Sequence, residues 1–89
     1  MNNDEAKIFA AQIGAEIPEL DLHGYFPVEA LEKLEAFIYS SCKIKATIIR
    51  VIYGLGTGRL RQEIVNYLEV HPLIDKIVEE SGSALVLLK

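Results

Sequence analysis

Three alternating glycines interrupt this chain where an apolar strand gives way to a helix, in Tyr53-Gly54-Leu55-Gly56-Thr57-Gly58-Arg59-Leu60-Arg61. Ahead of them, Thr47-Ile48-Ile49-Arg50-Val51-Ile52 is β-branched and apolar, as a buried strand requires. Behind them, Leu60, Ile64 and Leu68 share one stripe of a helix. Glycine admits positive φ and a close approach by another molecule. The N–H groups that open the following helix lack intrahelical partners, and the helix dipole there favours negative charge. Arg59 and Arg61 add positive charge at the same place, so the turn is built to meet an anion, with phosphate the first candidate.

Length bounds what surrounds that turn. The 89 residues make one domain with little surplus for a second site. No apolar run approaches the ~18 residues of a membrane span, so no membrane partner is expected. The acidic start, Met1-Asn2-Asn3-Asp4-Glu5, lacks the basic-then-apolar pattern of a secretory signal. A single cysteine, Cys42, excludes an internal disulfide and cannot by itself build a structural zinc site. It reads as a small apolar filler, and a reducing cytoplasm is the expected compartment.

The net charge of -4 argues against unspecific nucleic-acid binding, but its distribution is uneven. Residues 1 to 35 carry eight acids and two bases, and residues 63 to 89 carry five acids and two bases. Between them lie five bases (Lys43, Lys45, Arg50, Arg59, Arg61) and no acid. Such asymmetry can focus a positive field on an acidic protein. A chance cluster on solvated faces explains the same counts.

The order of elements reads as a helix followed by β-α-β-α-β-β. Ala6, Phe9, Ala10 and Ile13 recur at helical spacing, which predicts an amphipathic helix over 4–13 capped by Asn3 or Asp4 and ended by Gly14. Residues 1–15 then form an N-terminal helical unit and 16–89 the domain proper. Ile17 to Leu22 predicts a first strand, pushed to a sheet edge by Pro18. Pro27 opens a helix to about Ser41, with Ala30, Leu31, Leu34, Phe37 and Ile38 inward. Ala46 to Tyr53 is the second strand, and Arg59 to Val70 the third helix, ended by His71-Pro72. Leu73 to Glu79 and Ala84 to Leu88 are the last strands, joined by a tight turn at Ser81-Gly82-Ser83. Ala84 to Leu88 is apolar on both faces and belongs inside the sheet.

Right-handed crossovers put both main helices on one face. The other face is also apolar and needs cover, from the N-terminal helix or from a second copy. Leu20-Asp21-Leu22-His23-Gly24 lies at the carboxyl end of the first strand and the glycine turn at that of the second. Parallel, adjacent strands would bring both to one edge, where open α/β sheets bind ligands. Asp21 and His23, two apart, project to the same side and offer a general acid/base pair or two ligands for a divalent ion.

Leu20-Asp21-Leu22-His23-Gly24 followed by Pro27-Val28-Glu29-Ala30-Leu31 resembles the opening of the small MutS-related (Smr) domain. The family's His-Gly-x-Gly-Thr-Gly loop with its following Leu-Arg is similar to Gly54-Leu55-Gly56-Thr57-Gly58-Arg59-Leu60-Arg61. The resemblance spans about residues 17 to 89. It implies an α+β two-layer sandwich similar to the C-terminal domain of bacterial translation initiation factor 3, with the fourth strand antiparallel between the second and third. It implies nucleic-acid binding, DNA or RNA, and endonuclease activity, with Asp21, His23 and the glycine loop in that role.

Two departures follow. The family's loop begins with histidine, where this chain has Tyr53, a poor proton acceptor at neutral pH with its pKa near ~10. The family's glycine-rich final hairpin keeps one glycine here. The expected catalytic set is therefore Asp21, His23 and Tyr53, with Tyr53 weakened. The expected nucleic-acid contacts are Gly54, Gly56, Thr57, Gly58, Arg59, Arg61, Lys43 and Lys45. No cofactor follows from the residues, and a divalent cation, Mg²⁺ or Mn²⁺, is the one that Asp21 and His23 leave open.

Plainer readings stand beside these. Asp21 can accept backbone N–H bonds in the loop before the helix, and His23 can be a neutral surface residue. Tyr53 can pack and hydrogen-bond the loop. Arg59 is the better phosphate ligand, and Arg61 can pair with nearby acids. Tyr25 and Phe26 can stack on an unpaired base or staple the helix start. His71 can serve the last helical carbonyls. A non-catalytic adaptor that uses the sheet face is the alternative function, and a monomer or weak homodimer the expected assembly.

Overall fold

Burial on both faces of the central strand decides the layering. Ile49 and Val51 are fully buried towards one side, and Ile48 is buried towards the other. The computed structural model describes residues 1–89 as α1 (Asn3–Gln12), β1 (Glu19–Asp21), α2 (Pro27–Lys43), β2 (Ile48–Ile52), α3 (Arg59–Glu69), β3 (Ile74–Glu80) and β4 (Ser83–Leu88). The sheet order is β1-β2-β4-β3, with β1 parallel to β2 and β4 antiparallel to both neighbours. No helix is long and apolar enough to cross a membrane.

The main core gathers Ala30, Leu34 and Ile38 of α2, Ile64 and Leu68 of α3, and Ile49, Val51, Ala84 and Val86 of the sheet. Leu85 and Leu87 of β4 face the opposite way, with Ala11 and Ile48. The two-sided apolar run of Ala84 to Leu87 thus lies between two strands and two layers. Pro18 precedes the edge strand β1, where its carbonyl accepts the Arg50 N–H at 2.9 Å.

The N-terminal helix covers the second face, but on a different stripe from the expected one. Phe9 is 50 % exposed and Ile13 69 % exposed, and Ala6 also faces solvent. Asp4, Lys7, Ile8 and Ala11 turn towards the sheet instead. Apolar residues lie almost all round this helix, so periodicity alone left its rotation open. Polar anchors set it: Lys76 Nζ reaches Asp4 Oδ2 at 3.1 Å, and Arg50 donates to the Ala11 carbonyl at 3.0 Å. The cap is Asn2, whose side chain accepts the Glu5 N–H at 2.8 Å, one residue earlier than Asn3. On this face Ala11 of α1 packs with Ile48, Leu85 and Leu87.

His71 meets the helix end through its backbone, whose N–H donates to the Leu68 carbonyl at 3.2 Å, while its ring is buried and bonded elsewhere. Its Nδ1 accepts the Leu73 N–H at 3.1 Å, so the ring proton sits on Nε2, 2.7 Å from Glu35 Oε1. The Tyr67 hydroxyl donates to the same carboxylate oxygen, and these bonds hold Glu35 below the usual carboxylate range.

Tyr53 pins the end of β2 to the β3–β4 hairpin. Its ring joins the core, and its hydroxyl lies 2.9 Å from the Ser83 carbonyl and 3.1 Å from Glu79 Oε1. Burial, together with Glu79, pushes its pKa up to about 12.

Replacing Leu34, which is fully buried, by alanine is expected to cost about 2–5 kcal/mol in chemical denaturation. Phe9→Ser is expected to stay within about 0.5 kcal/mol, because that ring faces water. Tyr53 keeps its proton in the folded state to about 12, whereas an unfolded phenol loses it near ~10. Its contribution is therefore complete below ~10 and is lost as pH rises towards 12. Stability curves of Tyr53→Phe should show a smaller alkaline decline than wild type, the part due to Tyr67, whose pKa burial and Glu35 also push up to about 12, remaining.

Candidate nucleic-acid interface

Parallel pairing of β1 with β2 sets Asp21 opposite Ile52, so both strands end at the same edge. The β1–α2 and β2–α3 loops meet there. Gly54 has a φ of +82°, and a Cβ on it would lie 3.2 Å from the Cβ of His23. Only a glycine lets the second loop pass this close to the first. Gly58, at φ +86°, turns the chain into α3 from a left-handed N-cap. Gly56 has no positive φ and open space around it, so its glycine is not dictated by backbone conformation.

Asp21 Oδ1 stands 2.6 Å from His23 Nδ1 and accepts the His23 backbone N–H at 3.0 Å. The side-chain bond from His23 and then the backbone one hold the Asp21 carboxyl below its ordinary value. An ionised carboxylate only accepts hydrogen bonds, so the shared proton belongs to Nδ1. In the neutral form of this well-exposed imidazole, Nε2 then carries the lone pair. Asp21 thus fulfils the plainer reading, bonding its loop backbone, and orients the ring as well.

The turn itself offers hydrogen-bond donors. The backbone N–H groups of Leu55, Gly56, Thr57 and Gly58 bond to nothing within the chain, nor do those of Leu60 and Arg61 in the first turn of α3. Tyr53 and Gly54 N–H groups are instead taken by the Gly82 carbonyl, at 3.0 and 2.9 Å. A cleft of about 420 Å³ runs between the two loops, bordered by His23, Tyr25, Phe26 and the whole Gly54–Gly58 turn. Successive free N–H groups beside a helix start form an anion-binding concavity.

The bases expected to grip together lie apart in the fold. Lys43 ends α2 and Lys45 lies in the turn before β2, at the amino end of the strand whose carboxyl end carries the glycine turn. They share no part of the cleft. Lys45 instead takes a left-handed conformation, φ +59°, to stop the helix. Arg50 lies on the outer face, paired to Glu19 at 2.7 Å. Arg61 borders the cleft but holds Glu79 with two bonds, at 2.7 and 2.8 Å. Arg59, exposed at the first turn of α3, makes no ion pair and is the free cation beside the turn.

Tyr53 borders the cleft too, yet its hydroxyl is committed to Glu79 and Ser83 and its pKa is raised. It positions the loop and takes no proton at neutral pH. The missed residue is Glu79, which fixes both Arg61 and Tyr53 and is itself held below its usual range, chiefly by Arg61. An acid on the inward alternation of β3, beside Ile77, was its only trace in the sequence.

The donor set does not fit a resident divalent cation. No three His, Cys, Asp or Glu side chains gather anywhere in the chain, and Asp21 and His23 spend their facing atoms on each other.

Known proteins resemble this chain in sequence and in fold. Endonuclease MutS2 of Thermomicrobium roseum is 39% identical over 57 residues, which are 64% of this chain and 7% of that protein. Ribosome rescue factor SmrB of Shewanella oneidensis is 40% identical over 55 residues, 62% of this chain and 31% of that one. The chain therefore spans less than a third of either relative. The solved Smr domain of Thermus thermophilus MutS2 superposes with a TM-score of 0.79 at 25% identity, over 82% of this chain and 99% of that domain. The Smr domain of NEDD4-binding protein 2 does so with a TM-score of 0.68 at 27% identity, over 85% and 90%. The Smr domain family profile matches residues 20–89, and the chain belongs to that family.

Proposed function

We propose that this domain binds a nucleic-acid backbone phosphate at the Leu55–Gly58 turn and cleaves the strand there. The observation that carries the proposal is the Asp21–His23 pair, 2.6 Å apart, standing against Gly54 at the mouth of that turn. The endonuclease and ribosome-rescue names of its relatives support a nucleic-acid target.

Without a ligand set for a metal, RNA is the favoured substrate, because it brings its own nucleophile. His23 Nε2 accepts the proton of a 2′-hydroxyl, and the 2′-oxygen attacks the adjacent phosphorus. The bond from phosphorus to the 5′-oxygen breaks, and that oxygen leaves as a hydroxyl with a proton returned by the imidazolium. The products are a 2′,3′-cyclic phosphate and a 5′-hydroxyl. Free N–H groups of the turn meet the charge that grows on the non-bridging oxygens, with the exposed Arg59 next in the chain after that turn. Asp21 holds the neutral ring in its Nδ1–H tautomer and steadies the imidazolium once it forms.

Incubation with labelled RNA and supercoiled plasmid in EDTA tests the reading. RNA is expected to be cut, and His23→Ala to lower the rate by about 10²–10⁴-fold while RNA stays bound. His23→Ala cutting at the wild-type rate removes His23 from the chemistry. Binding that does not weaken as salt rises removes the phosphate contact. Gly54→Ala meets both a left-handed backbone and the His23 side chain. It is expected to lose about 1–3 kcal/mol in denaturation and to slow cleavage, through the displaced imidazole.

A further inference from the structure

The two loops of the cleft carry side chains that folding does not explain. Phe26 is 77 % exposed and Leu55 75 % exposed, and both border the cleft. Phe26 occupies the N-cap of α2, in extended conformation and with no side-chain bond to the first helical N–H groups. That position favours Ser, Thr, Asp or Asn, whose oxygen satisfies one of those groups. Phe26 is not a hydrophobic staple either, since the staple pairs the residue before the cap with the fourth helical one, here Tyr25 and Ala30. One face of Tyr25 is already covered, with Lys33 Nζ 5.1 Å from its ring centre. A helix start that forgoes its cap to hold a phenyl ring in water is a local conflict of the sort found at binding sites.

Leu55 is seated with the same lack of core purpose. A Cβ on Gly82 would lie 3.6 Å from Leu55 Cγ and Cδ2, so the leucine rests on bare hairpin backbone and projects from the turn whose N–H groups are free. An apolar, partly aromatic surface next to an anion-binding turn matches a ligand that joins a flat ring to a phosphate. Resting on the reading above, we infer that Phe26 and Leu55 form a base subsite. One unpaired base of a single strand lies against them while its phosphate occupies the Leu55–Gly58 turn. A cleft of about 420 Å³ falls within the ~300–1,000 Å³ of small-ligand sites and takes one nucleotide. Paired bases keep their faces stacked in the duplex, so the subsite selects unpaired strands.

Fluorescence anisotropy with a short 2′-O-methyl oligoribonucleotide, which lacks the nucleophile, tests this on the whole chain, single-stranded and annealed to its complement. The single strand is expected to bind more tightly than the duplex. Phe26→Ser is expected to weaken single-strand binding about 5- to 150-fold, the range for one base–aromatic stack. Its melting temperature should hold or rise, because serine supplies the missing cap. Phe26→Tyr should bind as wild type. Unchanged binding by Phe26→Ser, or a preference for duplex, overturns the subsite and leaves the phosphate reading standing; that is also the pattern expected if the patch serves a protein partner. A wild-type protein that retains neither strand form overturns both.

Discussion

Three residues of parallel pairing between β1 and β2, with Glu19 opposite Arg50, Leu20 opposite Val51 and Asp21 opposite Ile52, hold this molecule's chemistry together. Parallel strands end on the same side, so the loop after each emerges at one edge. Antiparallel pairing would send Asp21 and the glycine turn to opposite ends of the sheet. The pairing is short, and its partners supply the rest. The Leu22 N–H donates to the Ile52 carbonyl at 2.7 Å, carrying the register one residue into the loop. Gly54 then passes within van der Waals reach of His23.

Charge is used sparingly around this edge. Of five bases in the middle of the sequence, two sit at the far end of β2, one braces the outer face and one is bound by Glu79. The donors of the cleft itself are therefore its unpaired backbone N–H groups, with Arg59 exposed beside the turn but outside the cleft lining. Such a site reads position and geometry more than bulk charge, which suits a chain whose net charge is -4. Tyr53 and Glu79 stiffen the frame behind the cleft, tying the end of β2 to the hairpin.

Much of this was legible in the residues. The all-apolar run of β4 placed it inside the sheet, Pro18 placed β1 at an edge, and the two loop motifs met as the strand order required. What escaped reading depends on contacts between elements distant in the chain. The rotation of α1 is set by Arg50 and Lys76, which lie 39 and 72 residues from their partners in that helix. The five bases looked like one cluster because sequence proximity says nothing about which end of a strand a side chain occupies. Glu79 meets Tyr53 and Arg61 only after a hairpin folds back, and His71 is buried only because α2 supplies Glu35.

Amide and imidazole chemical shifts followed by NMR, as a non-cleavable oligoribonucleotide is added, measure the central assignment most directly. Perturbations concentrated at Leu55, Gly56, Thr57 and Gly58 and at the His23 ring, with Lys43 and Lys45 unmoved, are the predicted result. Perturbations centred on Lys43 and Lys45, with the glycine turn silent, would contradict it.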